Sequence, residues 1–93
     1  MRILSQDGMV FNDIPYEKFI LGIVKDKKTD KFCIAARKES LVSESGFPVT
    51  GVMAEYTTEA KAEKAMKMLR DSFEALEVYY QFPKDDMVTV RSL

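Results

Sequence analysis

The chain has 93 residues, 46% of them apolar and 31% charged, with a net charge of −1. That length makes one domain, 1–93, of globular composition, with no run near the ~18 apolar residues of a membrane span. Near-neutral charge removes bulk attraction to nucleic acid, and one cysteine with no histidine removes internal disulfides, the usual zinc sites and Ser–His–Asp or Cys–His catalysis.

Arg2 to Ser5 reads as a short strand, and Gln6-Asp7-Gly8 supplies turn chemistry after it. The start turns polar too soon for a signal peptide, and a lone thiol suits a reducing cytoplasm. Met9 to Pro15 is ambiguous, with Pro15 biasing Ile14 toward an extended conformation. Glu17 to Lys25 reads as a strand, Asp26 to Asp30 as a polar turn and Lys31 to Arg37 as the returning strand. This is a β-hairpin whose loop lacks the usual glycine. Residues 25–38 hold six basic side chains against two acidic ones, whereas residues 39–93 hold six against ten. The basic stretch is read either as a solvated hairpin tip or as a small anion-facing patch.

Lys38 to Pro48 reads as one loop, followed by a strand over Val49 to Tyr56. Thr57 and Thr58 are both N-cap candidates, and Glu59 sits where the helix dipole favours negative charge. Ala62, Ala65, Met66, Leu69, Phe73 and Leu76 then recur at three- and four-residue steps, which predicts a helix over about 58–76 with one apolar stripe. Val78 to Phe82 is a strand candidate rich in aromatics, and Met87 to Val90 a last short one.

The predicted fold is α+β: an antiparallel sheet of four to five strands with the helix packed on one face. Alternation puts Phe19, Leu21, Ile23, Phe32, Ile34, Ala36, Val52, Ala54 and Tyr56 on that face. The other face carries Ile20, Gly22, Val24, Cys33, Ala35 and Met53, so it is not polar. An antiparallel sheet with one solvated face alternates more cleanly. The N-terminal segment with Met9, Phe11 and Tyr16, the C-terminal segment with Tyr79, Tyr80 and Phe82, or another copy of the chain would cover it. The reading taken is a homo-oligomer.

Little catalytic chemistry is on offer. Cys33 lies mid-strand among apolar neighbours as a structural thiol. Asp85-Asp86 is the one adjacent acidic pair and reads as a solvated turn rather than a Mg²⁺ site. Phosphate-loop and dinucleotide glycine motifs are absent. The expectation is no enzyme, no cofactor and no metal. Binding chemistry remains, because guanidinium groups fork phosphates and tyrosine faces stack bases. The residues singled out for ligand binding are Arg37, Lys38, Tyr79 and Tyr80, in a nucleotide-sized pocket across a subunit boundary.

Three segments carry a family likeness: Ser5-Gln6-Asp7-Gly8 with Ile14-Pro15-Tyr16-Glu17, Ala54 to Ala62 with Ala65 to Arg70, and Gln81-Phe82-Pro83-Lys84-Asp85-Asp86. Together they resemble small uncharacterised proteins of phages and prophages of low-GC Gram-positive bacteria. The hairpin and the Lys38–Pro48 loop stand outside the likeness. It brings no catalytic residues and implies a viral accessory protein in the cytoplasm of an infected or lysogenic host. The expected function is counter-defence by sequestering a nucleotide-type immune signal in an oligomeric pocket. The alternatives are direct inhibition of a host defence protein, for example a CRISPR effector, and a structural or morphogenesis accessory.

Overall fold

The computed structural model describes residues 1–6, 14–15, 18–38 and 51–90. The chain is α+β. Its elements are β1 (Arg2–Leu4), β2 (Ile14–Pro15), β3 (Phe19–Lys25), β4 (Phe32–Lys38), β5 (Gly51–Tyr56), the helix α1 (Glu59–Glu74) and β6 (Tyr79–Gln81). In place of one antiparallel sheet of four to five strands, the described residues form two three-stranded ladders, ordered β2-β1-β6 and β3-β4-β5. Within the first, β1 runs parallel to β6. The predicted last strand at Met87–Val90 does not form. A 3₁₀ turn over Asp85–Met87 takes the start of that segment, and the carbonyls of Lys84 and Asp85 accept from the N–H groups of Met87 and Val88.

The hairpin follows the predicted pairing, from Phe19 opposite Lys38 to Lys25 opposite Phe32. Asp30 stands in for the missing glycine. It adopts φ 58°, a left-handed conformation that Asp tolerates better than most residues, and Lys25 pairs with its carboxylate at 3.0 Å. The helix starts at the second of the two threonines, where the Thr58 hydroxyl accepts from the Lys61 N–H. It ends earlier than the apolar stripe. Leu76 N–H donates to Phe73 and Glu77 N–H to Ser72, a left-handed cap with Leu76 at φ 59°. Leu76, counted in the stripe, lies past the helix end and is exposed, as is Phe73 in the last turn, while Ala62, Ala65 and Leu69 are buried. The small side chains of Ala62 and Ala65 let the helix lie close on the sheet.

One strand departs from simple alternation. Ile34 faces Ala54 but Ala35 faces Val52, so Met53 is an extra residue, a β-bulge. The bulge moves Met53 into the core at 3% exposure and leaves Val52 46% exposed, reversing the faces that alternation assigned them. The Met53 carbonyl accepts the Gln6 N–H at 2.7 Å. The bulge is thus where the two ladders join. Ile3, Ile34, Tyr56, Leu69 and Phe82 are buried in one cluster drawn from both ladders and the helix, and the Tyr80 and Phe82 rings meet edge to face at 5.2 Å.

Candidate functional site

Described residues from the three familiar segments converge, namely Gln6, Glu55, Tyr56, Thr57, Lys61, Pro83 and Asp85. The Gln6 side-chain amide donates to the Glu55 and Pro83 carbonyls and accepts from the Glu55 N–H, all at 3.0–3.1 Å. The Tyr56 hydroxyl donates to the same Pro83 carbonyl at 2.6 Å. The Asp85 carboxylate accepts from the Thr57 N–H at 2.8 Å, from the Thr57 hydroxyl and from the Lys61 ammonium at 3.1 Å. The Thr57 N–H above all, helped by hydrogen bonds from Lys61 and the Thr57 hydroxyl, holds the Asp85 carboxyl below the usual carboxylate range, although desolvation opposes it. Every polar group in this clasp is bonded to another part of the chain. Its work is to fasten the C-terminal turn and the N-terminal strand to the start of the helix. The motif residues of the clasp are spent on building this joint.

The four residues singled out for ligand binding are not brought together. Tyr80 is buried, its hydroxyl donates to the Ala65 carbonyl at 2.9 Å, and burial pushes that hydroxyl above the ordinary tyrosine range. Its ring is core and cannot stack on a ligand. Tyr79, the next residue on β6, points the other way and is 63% exposed. Arg37 lies in the other ladder, opposite Ile20 and half-buried, on the sheet face turned away from the helix. Lys38 ends β4 opposite Phe19, and its side chain lies outside the described ones. The alternative coverings Met9, Phe11 and Tyr16 also lie outside the described residues. Of the C-terminal segment, Tyr80 and Phe82 go to the core instead. Ile20 and Val24 on the outer sheet face remain 41% and 54% exposed.

A different region has the geometry of a site. A solvent-open groove of about 540 Å³ runs between β3 and the helix, lined by Ile23, Glu63, Met66, Lys67, Leu69 and Arg70. Its volume falls in the range that takes drug-sized ligands, ~300–1,000 Å³. Helical periodicity explains its composition. Lys61 and Lys64 occupy one flank of the helix, where Asp85 and the Thr89 carbonyl engage them. Glu63, Lys67 and Arg70 occupy the opposite flank, three and four residues apart, above the apolar Ile23, Met66 and Leu69. Among the described residues neither Lys67 nor Arg70 is held in an ion pair. The sequence carried this signal as two cations at helical spacing, but a solvated helix face looks the same until β3 is placed beside it.

Cys33 is buried, and desolvation, then the nearby Glu55 and Asp26 charges, raise its thiol above the ordinary value, so it is poor in thiolate. Among the described residues no cluster of three or more His, Cys, Asp or Glu side chains is placed to hold a metal ion. No helix among them is long and apolar enough to cross a membrane. No family model matches the chain, and neither a curated protein nor a solved structure does.

Proposed function

We propose that the protein is a phage-encoded, non-enzymatic binding protein that sequesters a nucleotide-type anion and so blunts host defence. The observation that carries this reading is the groove beside β3: two cations, Lys67 and Arg70, against one carboxylate, Glu63, over an apolar floor, with the volume of a small ligand. An arginine and a lysine on one wall suit a phosphate pair, and Met66 and Ile23 suit the flat face of a base. Met66, Lys67, Leu69 and Arg70 of the groove lie in one of the segments of the phage likeness, and Ile23 comes from the hairpin, which stands outside it. Arg37 and Tyr79 keep their candidacy only as separate surface contacts. A second reading, direct capture of a host protein, is favoured by the exposed Leu76, Val78 and Tyr79 beside β6, which has no strand on its outer side among the described residues.

Calorimetric titration of the purified protein with ADP-ribose and with cyclic dinucleotides tests the first reading. Binding is expected for at least one of them, with no conversion of the ligand. Each charge-assisted contact contributes about 1.5–3 kcal/mol, so Lys67→Glu with Arg70→Glu weakens binding at least about tenfold. Failure to bind any of these nucleotides, or equal binding by the double variant, overturns the assignment of this groove. Release of a product overturns the non-enzymatic reading.

A further inference from the structure

We infer that two copies of the chain pair through β3, antiparallel and centred on Gly22, and that this pairing completes the groove. β3 is the edge of its ladder, and among the described residues no strand lies on its outer side. The Asp26 N–H bonds to the Lys31 carbonyl at 2.8 Å, which sets the alternation of the hairpin. Val24, Gly22 and Ile20 therefore point their backbone groups at β4, while Ile23 and Leu21 point theirs outward. An uncharged stretch from Ile20 to Val24 with free outward N–H and C=O groups is a template for another strand.

The register is self-complementary. Gly22 is the midpoint of the seven-residue strand, so a two-fold axis there lets every residue of Phe19–Lys25 find a partner. Ile20 then faces Val24 of the second copy on the outer side, and Leu21 faces Ile23 of the second copy on the helix side. The residues that flank the strand carry opposite charge, Lys18 before it and Asp26 after it. Antiparallel pairing brings the end of β3 that follows Lys18 to the end that precedes Asp26 in the second copy, setting opposite charges near each other, whereas parallel pairing would set like charges together. A slip by one residue would put each apolar set on the wrong face. A Cβ built on Gly22 meets nothing within 4 Å, so the axis is open.

A two-fold axis perpendicular to the sheet keeps both helices on the same side. The groove of each copy already has Ile23 in its floor, and Ile23 lies on the pairing edge. The two grooves then meet across the axis as one trough, walled on both sides by Glu63, Lys67 and Arg70. That this trough holds the nucleotide-type anion rests on the function proposed above; the pairing itself does not.

The test uses the full chain with Cys33→Ala, so that one introduced cysteine is the sole thiol. With Gly22→Cys, mild oxidation is expected to yield a disulfide-linked dimer, because directly opposed residues of this kind sit about 4.5 Å apart at Cα, within disulfide reach. Ile20→Cys, whose opposite residue is Val24, is expected not to link. In light scattering the unmodified protein is expected to show a concentration-dependent particle of twice the 10.6 kDa chain mass. Lys18→Glu weakens the association severalfold, Asp26→Lys does the same, and the two combined restore it. A strictly monomeric protein, equal linking by Ile20→Cys and Gly22→Cys, or no restoration in the combined charge swap each overturns the pairing. A linked Gly22→Cys dimer that binds no nucleotide upholds the pairing and counts against the proposed function alone. Nucleotide binding by a monomer does the reverse.

Discussion

Asp85 is the one carboxylate whose removal reports on the clasp as a whole. It accepts from the Thr57 N–H and hydroxyl and from the Lys61 ammonium, with its side chain about one-third exposed at 32%. Hydrogen bonds to a charged group are worth about 1.5–3 kcal/mol in partly dry surroundings, and a water-accessible ion pair adds no more than about 1 kcal/mol. Water at this carboxylate pulls the total toward the low end, so Asp85→Ala should cost about 2 kcal/mol. For a domain of this size each kcal/mol moves the melting temperature by about 4–8 °C, which predicts a fall of roughly 8–16 °C by circular dichroism at neutral pH. Asp85→Asn keeps an acceptor for the Thr57 N–H and loses the charge, and should cost about half as much.

The same variant makes a signed pH prediction. The native carboxyl of Asp85 lies below its unfolded value of 3.8, so the folded state holds the ionised form more strongly. Its contribution is complete above the unfolded value and is lost as pH falls through the lowered native one. The stability gap between the unmodified protein and Asp85→Asn should be flat from about pH 8 to pH 5 and close as pH drops below about 4. An Asp85→Ala variant within about 0.5 kcal/mol of the parent would refute the clasp as a stabilising element. A gap that persists unchanged to about pH 2 would refute the ionic part.

Two further predictions concern backbone geometry. Leu76 holds φ 59° with 88% of its surface exposed, a conformation that costs a residue with a Cβ about 1–2 kcal/mol and glycine little. Leu76→Gly should therefore raise the melting temperature by a few degrees, and a loss of stability would mean that the leucine side chain has packing partners. Met53→Glu buries a carboxylate and should cost about 3 kcal/mol or more in urea denaturation, whereas Val52→Glu should stay within about 0.5 kcal/mol. The reverse order would refute the bulge.

Local patterns were legible without a structure. Period-two and period-four spacing, the threonine cap and the polar turn located the hairpin, β5, the helix and β6 to within a few residues, because each depends on neighbours in the chain. The thiol of Cys33 was readable as buried for the same reason: its strand is apolar on both sides of it. Tyr79 and Tyr80 show where that reading stops. Adjacent on a strand, they point to opposite sides, and nothing in the pair itself says which side is the core.

What only the tertiary structure decided are the contacts between residues far apart in the chain. The parallel pairing of β1 with β6 joins Ile3 to Tyr80, and the Gln6 amide reaches Pro83. The bulge at Met53 exists in the register of two strands, not in the spacing of one. It reverses which of Val52 and Met53 is buried, since one inserted residue shifts the side-chain alternation by half a period. The groove beside β3 has the same origin. Lys67 and Arg70 line it only because the small buried residues Ala62 and Ala65 fix the rotation of the helix on the sheet, and that rotation is set by packing.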